Sequence, residues 1–358
     1  MEKGLPFAAA FALSLALTPV MRWVARRTGA VAYPNSRSVH RYPIPYLGGV
    51  AIFVASLVAL ALAGFRDGPS WRALLLGGFF ILIVGLLDDL LTLTPWQKLV
   101  GQVVSGAIVV AAGVRVSFIS NPFSGEIHLL PGWIAVGFTI FWVVAFENVI
   151  NLSDGLDGLA AGIVGIASIV MALSAIRSGN AEVVPQALAV AGAVAGFLPY
   201  NFHPARIFMG DTGAMYLGLA LACISAEGLV KSTAAMALLA PILALIVPIS
   251  DAAFAIVRRR LAGQPVSRAD HDHIHHRLLE MGLGHRQVVL LIYGVSGLLG
   301  GLGLLSSLVP VEMGAPAAII GVSVLYLVCW RFGLFSVKGF YDKEKLGEKG
   351  RPSSRLNQ

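Results

Sequence analysis

The stretch NLSDGLDGLAAG, residues 151–162, carries two carboxylates, Asp154 and Asp157, between the apolar runs WIAVGFTIFWVVAF and LAAGIVGIASIVMALSAI. An unpaired carboxylate next to an apolar medium is costly, so these acids need a cation, a hydrogen-bond donor or water. Their spacing is about one helical turn, which predicts a shared face at the start of a helix capped by Ser153 or Asp154. The same kind of chemistry recurs elsewhere. LLDDLL sets Asp88 beside Asp89, with side chains about 100° apart on a helix, so that one faces the protein and the other water or a metal. An acid at a helix C-terminus opposes the dipole, which predicts a cation nearby. NFHPARIFMGDTG brings Asn201, Phe208 and Asp211, with Asp211 or Thr212 placed to cap the next helix. HDHIHHRL brings His271, His273, His275, His276 and Arg277, and PNSRSVHRYPIPYLGG brings His40 and Arg41. Carboxylates, an amide, imidazoles and guanidinium groups belong together where a hard divalent cation meets phosphate. The metal neutralises carboxylate and phosphate oxygens, and Arg and His hold the remaining charge.

The elements that must position these residues are membrane helices. The chain has 358 residues, 57% hydrophobic and 13% charged, with mean hydropathy +0.79. Soluble domains carry about 25% charged residues. The two cysteines, Cys223 and Cys329, sit in apolar runs and read as buried thiols. Segments of roughly 20 apolar residues predict an all-α polytopic bundle of about eleven spans. These fall near 5–21, 46–65, 72–88, 98–114, 132–148, 158–176, 183–199, 213–230, 233–256, 287–308 and 315–331. The first is read as a retained span, because its arginines follow the apolar run instead of preceding it. Residues 1–331 form the expected membrane catalytic domain and 332–358 a basic cytoplasmic tail. Most of the 26 Lys and Arg residues fall in alternate loops on the side holding 22–45, 257–286 and the tail. The richer side is cytoplasmic, which places the N-terminus outside and the C-terminus inside. All five polar motifs then lie on the cytoplasmic side. That face reads as catalytic, and the net charge of +7 reflects sorting across the bilayer, not nucleic-acid binding.

Asp251 lies in the ninth span, roughly 10 Å below its end at Arg258, and should face the bundle interior. Two other classes fit less well. A transporter of nucleotide-sugars or cations predicts ionisable groups at the midplane and repeat symmetry. A zinc sensor or hydrolase predicts cysteine partners for the histidines, and none is near.

The DD pair, the Asn148–Gly162 pattern ending in DGLDGLAAG, NFHPARIFMGDTG and HIHHRL occur in order over residues 34–290. Together they resemble the polyprenyl-phosphate N-acetylhexosamine-1-phosphate transferase family. The resemblance implies a Mg²⁺-dependent enzyme, with Mn²⁺ as a substitute, that moves a sugar-1-phosphate from a UDP-sugar to undecaprenyl phosphate and releases UMP. HIHHRL and the span count resemble the UDP-GlcNAc branch, which starts teichoic acid, O-antigen and related glycans; UDP-MurNAc-pentapeptide or another UDP-HexNAc is the alternative donor. The resemblance implies Asp211 as principal metal ligand with Asn151 as second, and Asp88 as the group that activates the lipid phosphate with Asp89 in support. It implies Asp157, Asn201 and Phe208 around uridine, with Asp154 between organising the site and binding the nucleotide. His273, His275, His276 and Arg277 would hold diphosphate or sugar, and His40 and Arg41 phosphate. Expected partners are a UDP-sugar, a polyprenyl phosphate lipid and the inner membrane, with no nucleic acid and with a homodimer left open. Direct attack by the lipid phosphate is the expected mechanism, and an aspartyl-phosphate intermediate is the rival.

Overall fold

The structure is a computed structural model that describes residues 4–33, 42–120, 126–230, 239–261, 263, 273–306, 308, 309 and 311–331. His40, Arg41, His271 and the tail 332–358 lie outside the described residues. The chain runs through α1 (Leu5–Thr28), β1 (Val31–Ala32), β2 (Ile44–Pro45), α2 (Gly48–Leu62), α3 (Pro69–Arg72), a π turn (Ala73–Gly77), α4 (Gly78–Leu91) and α5 (Pro95–Ala111). It continues with β3 (Phe118–Ser120), β4 (Ile127–Leu129), α6 (Gly132–Ser153), α7 (Leu159–Arg177), α8 (Val183–Asn201) and α9 (Gly210–Val230). The last elements are α10 (Leu239–Ala244), α11 (Ile246–Leu261), α12 (Ile274–Glu280), α13 (His285–Ser306) and α14 (Val311–Arg331).

Among the described residues, six helical stretches are long and apolar enough to cross a membrane by themselves, fewer than the eleven spans expected, and the first six residues of the ninth expected span lie outside the described residues. The ninth expected span is broken at Leu245 between α10 and α11, where Pro248 lacks the N–H that would otherwise bond back to Ala244 O. The strands form two antiparallel pairs, β1 with β2 and β3 with β4, an addition to the all-α expectation. Exposed Leu, Val, Phe and Trp side chains such as Trp96, Trp133, Phe141 and Leu298 cover the outside, as expected for a lipid-facing surface.

Helix α9 is the axis of the bundle. From Ala214 to Ile224 its described apolar side chains are fully buried, and it packs on α2, α4, α6, α7 and α8. Small residues permit the close approach that replaces hydrophobic drive inside lipid. A Cβ on Gly85 of α4 would lie 2.5 Å from Thr212 Cα of α9, so the DD motif and the GDTG motif meet through a glycine contact. The chain entering α2 runs beside the chain entering α9: Phe208 N donates to Pro45 O at 2.8 Å, and Gly48 N and Gly49 N donate to Phe208 O and Met209 O at 3.0 Å each. That pairing joins YPIPYLGG to RIFMGD.

Candidate active site

The site gathers at the end of the bundle where α4, α6 and α8 finish and α5, α7, α9 and α13 begin. Asp88 and Asp89 occupy the last turn of α4 and diverge as their spacing predicts. Asp88 Oδ1 accepts from Leu93 N at 2.8 Å, and Asp88 Oδ2 lies 2.8 Å from Lys98 Nζ. The cation that the acid at the helix end called for is therefore Lys98. A capping box formed by Thr94 and Gln97 starts α5 and holds Lys98 in its first turn.

Asp89 does something different. Its Oδ1 accepts from Asp211 N at 2.9 Å, and its Oδ2 accepts from Thr212 N at 3.1 Å and Thr212 Oγ1 at 2.7 Å. The cap of α9 therefore comes from another helix, not from Asp211 or Thr212 as their own sequence suggests. Gly210 at φ +70 bends the chain so that these amides point at Asp89, and a side chain there would collide with its carboxylate. With both oxygens bonded in this way, Asp89 positions Asp211.

Asp211 is left facing α5 and α6. Its Oδ1 accepts from Asn151 Nδ2 at 2.7 Å, and its Oδ2 is paired with Lys98 Nζ. Lys98 Nζ also donates to Asn151 Oδ1 at 3.0 Å. One ammonium is thus ringed by Asp88, Asn151 and Asp211, three residues from three helices. Those are oxygen donors of the type a hard divalent cation prefers, and they already hold a positive charge in their midst. Sequence reasoning overlooked Lys98, which stood in the chain only as a lone basic residue at the start of an apolar run; the signal was its position, one turn inside a membrane helix.

Asp154 and Asp157 do not share a helical face. Helix α6 runs on through Asn151 to Ser153, whose Oγ donates back to Val149 O at 2.8 Å, and α7 starts only after Gly158. The five residues between are a turn, shaped by Gly158 at φ +82. Burial pushes the Asp154 carboxyl up to about 8, with the carboxylates of Asp211, Asp89 and Asp157 adding to the rise.

Asp157 Oδ2 accepts from Ala205 N at 3.0 Å and lies 2.8 Å from His203 Nδ1. Asn201 is buried, accepts from Gly158 N at 3.1 Å and donates to Ile207 O at 3.0 Å. It clamps the DGLDG turn to the loop that precedes α9 and so shapes the wall of the site. Phe208 is half-buried on that loop.

The histidine segment closes the far side. His273 Nδ1 lies 2.9 Å from Asp251 Oδ2, and Asp251 Oδ1 accepts from Ile274 N at 3.0 Å. Asp251, buried as expected, thereby both anchors the start of α12 and orients His273. The His273 and His275 rings are parallel, with centroids 5.5 Å apart, and His276 lies 4.4 Å beyond His275. His275 packs on the DGLDG turn, where a Cβ on Gly155 would lie 2.5 Å from its Nε2. Burial, then neighbouring His276, lowers His275 to about 3, so it is a neutral imidazole at physiological pH. His276 and Arg277 follow on the same short helix. His203 and His285 carried no assignment from the sequence, yet they stack at 4.0 Å beside Asp157.

A model of glycosyl transferase family 4 matches residues 71–229, which include Asp88, Lys98, Asn151 and Asp211. The chain is 40% identical over 296 residues to the probable undecaprenyl-phosphate N-acetylglucosaminyl 1-phosphate transferase of Bacillus subtilis, covering 82% of each protein. It is 39% identical over 304 residues to the decaprenyl-phosphate N-acetylglucosaminephosphotransferase of Mycobacterium tuberculosis H37Rv, covering 77% of this chain and 75% of that protein. The phospho-N-acetylmuramoyl-pentapeptide-transferase of Lactobacillus gasseri is more distant, 33% identical over 240 residues.

Proposed function

Since the chain belongs to glycosyl transferase family 4, we propose that it transfers N-acetylglucosamine-1-phosphate from UDP-GlcNAc to undecaprenyl phosphate, with UMP as the other product. The observation that carries this reading is the ring of Asp88, Asn151 and Asp211 around Lys98 at one end of an apolar bundle. It offers phosphate-handling chemistry within reach of a lipid-borne acceptor. The GlcNAc donor is favoured over UDP-MurNAc-pentapeptide because the more similar relatives bear GlcNAc-phosphotransferase names. The bundle spans the inner membrane eleven times with its N-terminus outside, and the site faces the cytoplasm, as the basic loops favour.

In the reaction, an oxygen of the lipid phosphate forms a bond to the sugar-linked phosphorus of the donor, and the bond from that phosphorus to the UMP oxygen breaks. A Mg²⁺ ion, with Mn²⁺ as a substitute, would be held by Asp211 and Asn151 and would supply charge neutralisation at the diphosphate. Asp88 orients the lipid phosphate and takes its remaining proton; a phosphate monoester with a second pKa near 6 is already largely dianionic at neutral pH. Lys98 keeps Asp88 and Asp211 together before substrate arrives and can then turn to a phosphate oxygen. Asp89 fixes Asp211 through the start of α9. Phe208 stacks on the uracil, and Asp154 lines the nucleotide side. Asp157 and Asn201 set the shape of that wall. His273, His275, His276 and Arg277 hold diphosphate and sugar, joined by His40 and Arg41 at the phosphate end.

The test is a panel of radiolabelled UDP-sugars with undecaprenyl phosphate and the protein in detergent. Label from UDP-GlcNAc should enter the lipid with stoichiometric UMP. Incorporation of MurNAc-pentapeptide but not GlcNAc would reverse the donor assignment. UMP release by an Asp88→Asn variant without lipid acceptor would defeat the role given to Asp88.

A further inference from the structure

We propose that Tyr293 is a positioning residue for the reaction, which holds the DGLDG turn in the shape that the nucleotide side of the site requires. The inference deepens the function proposed above and rests on it for the role of that turn. Tyr293 lies on α13, beyond the residues 71–229 that the family model matches, and no motif in the sequence marks it.

Gly158 closes the turn at φ +82, a conformation that glycine adopts without steric cost. Its backbone is held from two sides. Gly158 N donates to Asn201 Oδ1 at 3.1 Å. Gly158 O accepts from the Tyr293 hydroxyl and also from Gly162 N, the latter at 2.9 Å. Phe202 packs on the same residue, where a Cβ on Gly158 would lie 3.1 Å from its ring. Asn201 and Phe202 come from the end of α8 and Tyr293 from α13, so two separate helices grip the left-handed residue of the turn.

Gly162 makes the seat for the tyrosine ring. It is the fourth residue of α7, and a Cβ there would overlap the Tyr293 ring and hydroxyl. Glycine inside a helix is less favourable than alanine, so its presence in the first turn needs a reason. Close packing of an aromatic ring supplies one. The last glycine of DGLDGLAAG thus makes room for a side chain of the protein itself. On α13 the neighbours Val288, Val289 and Ile292 are buried, which anchors the tyrosine in the bundle and not on a loop. Asp154 and Asp157 belong to the turn so held, and His275 packs on its Gly155. The placement of all three therefore depends on the Gly158 backbone, and through it on Tyr293.

The experiment uses the full chain in detergent with UDP-GlcNAc and undecaprenyl phosphate. Tyr293→Phe keeps the ring and loses the hydroxyl. It should raise the donor KM about 3- to 10-fold, the worth of one hydrogen bond, and leave the acceptor KM within about twofold. Gly162→Ala should do at least as much, although helix propensity alone favours the alanine. Ring and seat act through one contact, so Gly162→Ala with Tyr293→Ala should be no worse than the more damaged single variant. A fall in kcat with both KM values unchanged, or additive effects in the double variant, overturns the proposal. Hydrogen exchange over residues 154–162, followed by mass spectrometry without substrate, should quicken at least about threefold in Tyr293→Phe while α2 is unaffected. Unchanged exchange there also overturns it. That readout needs no turnover: an unaltered protein inactive on UDP-GlcNAc would defeat the donor assignment and leave the exchange measurement to decide the role of Tyr293.

Discussion

Asp89 caps a helix to which it does not belong: its Oδ2 accepts from Thr212 Oγ1 at 2.7 Å and from the Thr212 amide at 3.1 Å, while Oδ1 takes the Asp211 amide. The adjacent acids of LLDDLL thus divide their work. Asp88 meets Lys98, and Asp89 fixes the first turn of the buried axial helix, from which Asp211 projects.

Removing that cap should lower both stability and rate. Asp89→Ala should cost about 1–2 kcal/mol, the range for loss of an N-cap, and should reduce turnover at least 10-fold by loosening Asp211. Asp89→Asn keeps one acceptor oxygen and should fall between the two. Thermal unfolding in detergent and initial rates would decide; wild-type turnover in Asp89→Ala would show that Asp211 needs no such support.

Lys98 stands where cationic charge is wanted, so its removal has a signed consequence. Lys98→Met leaves Asp88 and Asp211 facing each other without a counter-charge. Their affinity for a divalent cation should rise, and the Mg²⁺ concentration for half-maximal activity should fall. Maximal turnover should drop at least 100-fold if the ammonium also steadies the transferring phosphoryl group. A Mg²⁺ titration at saturating substrate separates the effects. An increase in the Mg²⁺ requirement would mean that Lys98 helps to hold the ion indirectly.

The architecture was legible in the sequence where it depended on long apolar segments, because twenty-residue runs leave helices as the only economical solution in lipid. Six of the described helical stretches are long and apolar enough to span a membrane by themselves. The site motifs were legible as sets, but the direction of each side chain was not. Asp154 and Asp157 have helical spacing, yet the glycines flanking Leu156 and Asp157 open a turn and send the two acids to different neighbours. Asn201 reads as a ligand contact by motif, yet its amide bridges Gly158 and Ile207, a contact that depends on residues 43 and 6 positions away. Lys98 was marked only by standing one turn inside a membrane helix, and His203 and His285 gain their meaning from each other and from Asp157, in distant segments that no local pattern links.

The link between Asp251 and His273 predicts a graded series. Asp251→Asn retains an oxygen for Ile274 N but loses the charge that favours a proton on His273 Nδ1. It should reduce turnover about 10-fold, an order set by the 10–100-fold effects of losing the group that orients a functional histidine. Asp251→Ala, which also frees the start of α12, should lose more. His273→Ala in either background should add little further, since the residues act as one unit. Full additivity of Asp251→Ala and His273→Ala would show that they work separately.

His275 gives the stability a pH dependence of known sign. Its folded-state value of about 3 lies below the ordinary histidine value of about 6.5. Between those limits the unfolded chain binds the proton and the folded chain does not, so stability falls as the pH drops from about 6.5 toward 3 and is complete above that window. Replacing the imidazole by a group of similar size that does not titrate, His275→Asn, should flatten the fall in thermal midpoint between pH 6.5 and pH 4.5. The activity of the unaltered enzyme should show no ionisation traceable to His275 over the same range, because the folded protein keeps it neutral throughout. Thermal midpoints of the two proteins at half-unit pH steps measure the difference. Parallel curves would mean that His275 takes up its proton in the folded state, and that the packing of its ring on Gly155 does not exclude water as the structure indicates.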